Sequence, residues 1–315
     1  MIPSLLAVEP GPYVTLQDRG RTGFRRFGVS CSGVMDLASF HLANRLVGNA
    51  PDAPALEFAH VGGLYEVAAD SCRIAVTGGT FALSCGDVTL APWWSHTLRR
   101  GQQVKIAGAP DAVWGYLAIA GGFAVTPRLG SSATHLRSGL GGLGGRCVAA
   151  GDSLPLLAAI APGQPERRAM PVARPNWPLR VVPGPQQDFF ARDAVETFYR
   201  GSFRVTHRAD RMGTWLDGPP IRHAAGFNIV SDGVVPGCIQ IPGSGQPLVL
   251  LMDCQTTGGY PKIATMITAD LARFAQTRPG GQVRFSPVSV EAAHHLYCSY
   301  QARIDGLGHL IEEWT

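Results

Sequence analysis

Leu248-Val-Leu-Leu-Met252, Asp253-Cys-Gln-Thr-Thr-Gly-Gly-Tyr-Pro-Lys262 and Ile263-Ala-Thr-Met-Ile267 follow one another without a break. Two short apolar runs bounded by turn residues read as buried strands, so the decapeptide between them is a loop pinned at both ends. The paired glycines Gly258 and Gly259 allow a sharp turn and a close approach to a ligand. Gln255, Thr256, Thr257 and Tyr260 supply neutral donors and acceptors beside them. Lys262 adds a point charge. The chain holds 25 Arg and two Lys, so a position needing only positive charge would carry Arg, and Lys262 points to a compact ammonium or a shiftable pKa. A tight hairpin with a solvated lysine at a strand start would be built from the same residues.

The chain around this loop is written in the same style. Beyond Lys262 a short helix is predicted near Ala269–Gln276, then a strand over Gln282–Ser286. A C-terminal amphipathic helix follows, capped by Ser289, with Ala293, Leu296, Tyr300, Ile304 and Leu307 along one side. Before the loop, Cys238-Ile-Gln240 sets a polar residue in an apolar strand, and a buried Gln240 must find partners in a neighbouring loop or a ligand. Ser231-Asp-Gly233 and Arg211-Met-Gly213 complete the polar inventory of the second half, which opens with Leu179–Val182, Gly184-Pro-Gln-Gln-Asp188 and an amphipathic patch near Phe189–Tyr199.

In the first half, strands are predicted at Tyr13–Leu16, Tyr65–Ala68, Arg73–Val76, Thr80–Ser84, Val88–Leu90 and Val104–Ala107. Asp36 can cap a helix running to about Val47, with Gly48 at its C-terminal end. Asp18, Arg21, Asp36 and Asn44 form a candidate polar constellation above that helix; the alternative makes Asp36 a cap and Arg21 a partner for Asp18. Thr77-Gly-Gly79 and Val104 recur as Thr257-Gly-Gly259 and Val283 at offsets of 180 and 179 residues, which points to an internal duplication. The run Gly139-Leu-Gly-Gly-Leu-Gly-Gly-Arg146 could form an anion-binding nest or a sharply turning surface loop. Ala161–Pro178, rich in Pro and Arg, reads as a linker.

At 315 residues the chain exceeds one typical core, and 39 Gly and 24 Pro spread along it favour many short strands and turns. The expected architecture is mainly β with a few helices, in two related β-barrel domains over residues 1–165 and 175–315. A net charge of +4 without aromatic residues interleaved among the arginines argues against nucleic acid. The longest apolar stretch, Ala112–Val125, is too short for a bilayer. Seven Cys without a C-x-x-C pair, and no signal segment at the start, point to a reduced, cytoplasmic protein. The nine His lack H-x-H and H-E-x-x-H spacings, so no metal is expected. A G-x-S-x-G elbow and a G-x-x-x-x-G-K-[ST] loop are both missing.

The longer motifs carry a resemblance. Val14-Thr-Leu-Gln-Asp-Arg-Gly-Arg-Thr-Gly23, Gly28-Val-x-x-Ser-Gly-Val-Met-Asp36, Ala43-Asn-Arg-Leu-Val-Gly-Asn49, Leu129-Gly-Ser, Arg211-Met-Gly, Ser231-Asp-Gly-Val-Val-Pro-Gly-Cys-Ile-Gln240 and Gln255-Thr-Thr-Gly-Gly-Tyr-Pro-Lys262 resemble the allophanate hydrolase subunit 2 family. That resemblance implies cyclophilin-like β-barrels and work in a hetero-oligomer. The partners would be relatives of the A and B subunits of 5-oxoprolinase, the B relative being of the allophanate hydrolase subunit 1 type. It implies ATP-dependent hydrolysis of 5-oxo-L-proline to L-glutamate, or carboxyl transfer to urea or a related amide with biotin carried on another chain, or non-catalytic antagonism of a kinase inhibitor. For the lactam reaction, Lys262, Arg211 and Asp232 are the catalytic candidates. Gln240, Gln255, Thr256, Thr257, Gly258, Gly259 and Tyr260, with Asp18, Arg21, Asp36 and Asn44, are the substrate-binding ones.

Overall fold

In Gln103–Ile106, Val104 and Ile106 are fully buried while Gln103 and Lys105 face water, the period of two that a half-covered sheet demands. The computed structural model describes residues 2–161 and 163–314, and such strands dominate it, with four α-helices among the described residues. Pro162, inside the expected linker, lies outside the described residues. The chain forms two compact units. One comprises Met1–Arg21, Ser32–Ala173 and Ile304–Thr315; the other comprises Thr22–Cys31 and Arg174–Arg303. Each unit therefore takes chain from both sides of the 161–178 segment.

The first unit has a six-stranded sheet, in the order Ser153–Pro155, Ser4–Pro10, Gly63–Val67, Gln103–Ile106, Leu83–Cys85 and Val88–Leu90. Its five-stranded sheet runs Val14–Gln17, Ala55–Ala59, Trp114–Ile119, Ser71–Thr77 and Ser95–Arg99. All these ladders are antiparallel. Leu5, Tyr65 and Val104 from one sheet and Leu16, Phe58 and Leu117 from the other meet in a single apolar core. Helix α1 (Leu37–Leu46) packs against the five-stranded sheet. Asp36 caps it as expected, accepting from Ser39 N at 3.2 Å and Ser39 Oγ at 2.8 Å.

The second unit is built on an eight-stranded sheet. Its order is Gln282–Val283, Phe203–Ala209, Gly213–Asp217, Leu248–Leu250, Cys238–Gln240, Lys262–Met266, Leu179–Pro183 and Phe285–Pro287. The first and last strands in that order are separated in sequence by Arg284 alone, so the sheet must curl round on itself into a nearly closed barrel, which removes its edges. The single strand expected over Gln282–Ser286 is thus two strands, because the chain steps from one side of the closure to the other. Phe198 of helix α2 (Arg192–Arg200) stacks on Phe285 at 4.7 Å inside this unit. Helix α3 (Thr268–Ala275) adds Phe274. Helix α4 (Val290–Asp305) begins where Ser289 Oγ accepts from Ala292 N, and buries Tyr300 and Ile304 on its predicted apolar side.

Two further expectations change. Glu166–Ala169, inside the supposed linker, pairs antiparallel with Ile311–Trp314, and Arg168 lies 3.0 Å from Glu312. A Glu-Arg-Arg-Ala strand has no alternation, and its partner is more than 140 residues away, so no local pattern marks it. The Thr-Gly-Gly repeat also separates. Thr77 ends a strand of the five-stranded sheet, whereas Thr257–Gly258 forms its own two-stranded ladder. That short pattern occupies different structural positions in the two units.

Candidate functional site

Leu248–Leu250 and Lys262–Met266 do flank the decapeptide, yet they do not pair with each other. Cys238–Gln240 lies between them, antiparallel to both. The loop is therefore no hairpin, since its two ends stand on either side of a third strand. A bulge after Ile239 brings Gln240 opposite Lys262. Gln240, fully buried, donates Nε2 to Tyr260 O at 3.3 Å, which answers its need for a partner inside the loop. Gly258 lies so close that a Cβ there would sit 2.6 Å from Gln240 Nε2.

The loop's own ladder sets the charges. Asp232–Gly233 pairs with Thr257–Gly258, and Lys262 Nζ reaches Asp232 Oδ2 at 2.5 Å and Gly233 O at 3.1 Å. Gln186 joins both partners, accepting from Lys262 N at 3.3 Å and donating to Asp232 Oδ2 at 3.1 Å. The Lys262 side chain is 3% exposed and that of Asp232 52%, so the pair has a buried cationic end and a wet anionic end. Hydrogen bonding from Lys262, then from the Gly233 N–H and Gln186, holds the Asp232 carboxyl below the usual carboxylate range. A depressed carboxyl contributes its pairing above its unfolded pKa and loses it only as pH falls through the lower folded value. Asp232 is therefore a carboxylate at neutral pH.

Arg211 stands elsewhere. It is 1% exposed and makes a two-pronged pair with Asp253, Nε to Oδ2 and Nη2 to Oδ1, both at 3.0 Å, while Asp253 N donates to Arg211 O at 2.8 Å. The first residue of the decapeptide is thus bolted to the end of a neighbouring strand. Gln255, Thr256, Gly258 and Gly259 are half-buried, and Thr257 and Tyr260 are exposed. Thr256 O accepts from Val234 N and Gly259 O from Ile229 N, which ties the loop to residues 229–234.

Asp18, Arg21, Asp36 and Asn44 belong to the first unit, whereas Lys262 and its neighbours belong to the second. Each is engaged in holding backbone. Asp18 accepts from Gly20 N at 2.8 Å, Ser131 Oγ at 2.6 Å and Ser132 N at 2.5 Å. Arg21, buried, donates to Ala133 O. Asp36 caps α1, and its N–H donates to the Tyr116 hydroxyl at 2.7 Å. Asn44 donates to Pro51 O and Ala53 O at 3.1 and 2.7 Å. Of the structural alternative, the Asp36 cap is realised, while Asp18 and Arg21 are engaged with Ser131, Ser132 and Ala133.

Sequence reasoning passed over Gln186, although it lies in the quoted Gly184–Asp188 segment. Its place comes from Gly184, where a Cβ would lie 2.0 Å from Lys262 O and 2.8 Å from Ile263 C. Those obstacles are backbone, so Gly184→Ala must push strand Lys262–Met266 aside. We expect a loss of about 1–3 kcal/mol, read as a lower urea midpoint at unchanged slope.

Among the described residues no group of three or more His, Cys, Asp or Glu is placed to hold a metal ion. The glycine run of the first unit is used for tight packing: Gly142 N and Gly145 N donate to Ser132 O and Gly141 O, and a Cβ at Gly141 would lie 2.1 Å from Ala133 O. The Lys262 cluster offers one ammonium already matched by a carboxylate. Neither place fits a nucleotide triphosphate, which needs several convergent donors or cations.

The protein thus carries a lysine–carboxylate–amide cluster at strand ends of a nearly closed, mostly antiparallel barrel. Its fold is shared with the K. lactis urea amidolyase, at a TM-score of 0.88 and 30% identity over 100% of this chain and 20% of that one. Residues 27–287 match the family model for the carboxyltransferase domain, subdomain A and B, and the chain belongs to that family. It is 36% identical to the C subunit of Escherichia coli 5-oxoprolinase over 92% of this chain and 93% of the relative. It is 33% identical to urea amidolyase of Lachancea kluyveri over 95% of this chain and 18% of that longer protein. No helix among the described residues is long and apolar enough to cross a membrane.

Proposed function

We propose that this chain is the C subunit of an ATP-dependent 5-oxoprolinase, acting with relatives of the A and B subunits to open 5-oxo-L-proline to L-glutamate. The observation that supports this reading is the end-to-end match to the C subunit of 5-oxoprolinase, which covers 92% of the chain and 93% of the relative. A lactam is unreactive because its carbonyl is resonance-stabilised and its leaving nitrogen is poor. A site for it must hold a neutral amide and meet developing negative charge on oxygen. Gln255, Thr256, Thr257 and Tyr260 along one loop, with Gln240 on the strand between the loop's ends, offer amide and hydroxyl groups of that kind. Lys262 commits two ammonium protons to Asp232 and Gly233 among the described residues, so the third is its means of reaching a carbonyl oxygen. Arg211 acts through Asp253 on the position of the loop. ATP supplies the driving force for hydrolysis, and its phosphates are held by the partner proteins.

The urea amidolyase matches favour a second reading, carboxyl transfer to a small amide, with biotin carried on another protein. The lactam reading ranks first because the chain spans nearly all of its 5-oxoprolinase relative and only 18% of the L. kluyveri amidolyase. Both are tested by mixing the chain with its A and B relatives and measuring ATP-dependent glutamate release, each component being omitted in turn. Release that needs all three is the expected result. A folded, complete mixture that releases none overturns the lactam reading.

A further inference from the structure

Thr22–Cys31 belongs to the barrel unit, although Arg21 before it and Ser32 after it belong to the other. Polar contacts fasten it there. A 3-10 turn, Arg25–Phe27, closed by Gly28 at φ 81°, presents the half-buried Arg25. Arg25 Nη2 donates to Val234 O and, at 3.2 Å, to Gln255 O. Ser30 Oγ donates to Cys254 O at 2.7 Å. Val234 directly follows the Asp232–Gly233 strand, and Gln255 lies two residues before the Thr257–Gly258 strand that pairs with it. One guanidinium thus spans both sides of the ladder that offers Asp232 and Gly233 to Lys262. A ladder of two residue pairs is marginal in water by itself. A planar fork of donors can bridge two carbonyls where a single ammonium on a flexible stem cannot hold both in fixed geometry.

We infer that Arg25, seconded by Ser30, is a positioning residue for the Lys262 cluster, tying the two strands of this ladder so that Asp232 and Gly233 meet the ammonium. The inference rests on the reading of Lys262 as the centre of the site. It assigns a site role to a segment far from the decapeptide in sequence.

The chain's two lysines make the test direct. Lys105 is exposed and Lys262 buried. The intact protein is treated briefly with an N-hydroxysuccinimide acetate ester, and acetylation of each lysine is followed by mass spectrometry. In Arg25→Met the Lys262 rate is expected to rise about 10-fold while Lys105 is unchanged, since local opening rather than global unfolding controls it. Arg25→Lys is expected to lie between wild type and Arg25→Met. In the assembled complex, kcat is expected to fall about 10-fold or more with KM within about threefold, the pattern of a misplaced group rather than a lost binding contact. An unchanged Lys262 rate in folded Arg25→Met overturns the inference. Should that variant not fold, Ser30→Ala, which removes one hydrogen bond, decides by the same readout. If the wild-type mixture releases no glutamate while Lys262 still opens in the variants, the functional reading fails and the positioning role stands.

Discussion

Lys262→Met is expected to lower turnover of the assembled complex by about 100-fold or more while shifting the melting temperature by only a few degrees. The first figure follows from the proposed role of Lys262 as a preorganised donor to developing negative charge, whose removal costs what the loss of an oxyanion-stabilising group costs. The second follows from which end of the pair is buried. Asp232 is 52% exposed, so without Lys262 its carboxylate is still hydrated rather than stranded. Methionine fills much of the space of the lysine stem. A control with Asp232→Asn, which preserves an acceptor oxygen but removes the charge, is expected to fall between wild type and Lys262→Met. Steady-state assays beside thermal unfolding of the same preparations give the comparison. Turnover within about twofold of wild type would remove Lys262 from the chemistry.

The largest effect on stability is expected from Asp253→Asn. Arg211 is 1% exposed and meets the Asp253 carboxylate through two N–H groups at 3.0 Å. Taking away one partner of a buried ion pair leaves the other charge uncompensated, at a cost of about 3–5 kcal/mol. For a unit of this size that corresponds to a drop of roughly 10–20 °C in melting temperature. The double variant Arg211→Met/Asp253→Leu removes both charges and is expected to recover most of the loss, because an apolar pair of similar volume carries no desolvation penalty. Circular dichroism melts of the three variants close the cycle. A drop below about 3 °C for Asp253→Asn would mean that the pair does not hold the loop, and Arg211 would return as a ligand-facing candidate.

The two experiments separate residues that looked alike in sequence. Lys262 and Arg211 are both cations near strand ends, and both are buried. What distinguishes them is the far side of each pair: water and an open ladder for Asp232, protein for Asp253. Asp18, Arg21, Asp36 and Asn44 were polar residues in family-like motifs, and their hydrogen bonds hold backbone in the first unit. A motif marks a residue that cannot be changed freely. It does not say whether packing or chemistry is the reason.

Determined by the sequence alone were the features that local covalent geometry encodes. Alternation revealed strands such as Gln103–Ile106, and helical spacing with a cap revealed α1 and α4 to within a residue or two. The apolar runs around the decapeptide located its loop, and ordered motifs revealed the family. These signals are legible because side-chain periods of two and 3.6 are properties of the chain itself. Only the tertiary structure decided that a third strand divides the loop's ends, that Arg284 sits at a barrel closure, and that Gln186 meets Asp232. The same holds for Arg25 and Gln255, separated by 230 residues. Pairings of that kind depend on which strands the closing sheet brings side by side, and nothing periodic in either partner records the other.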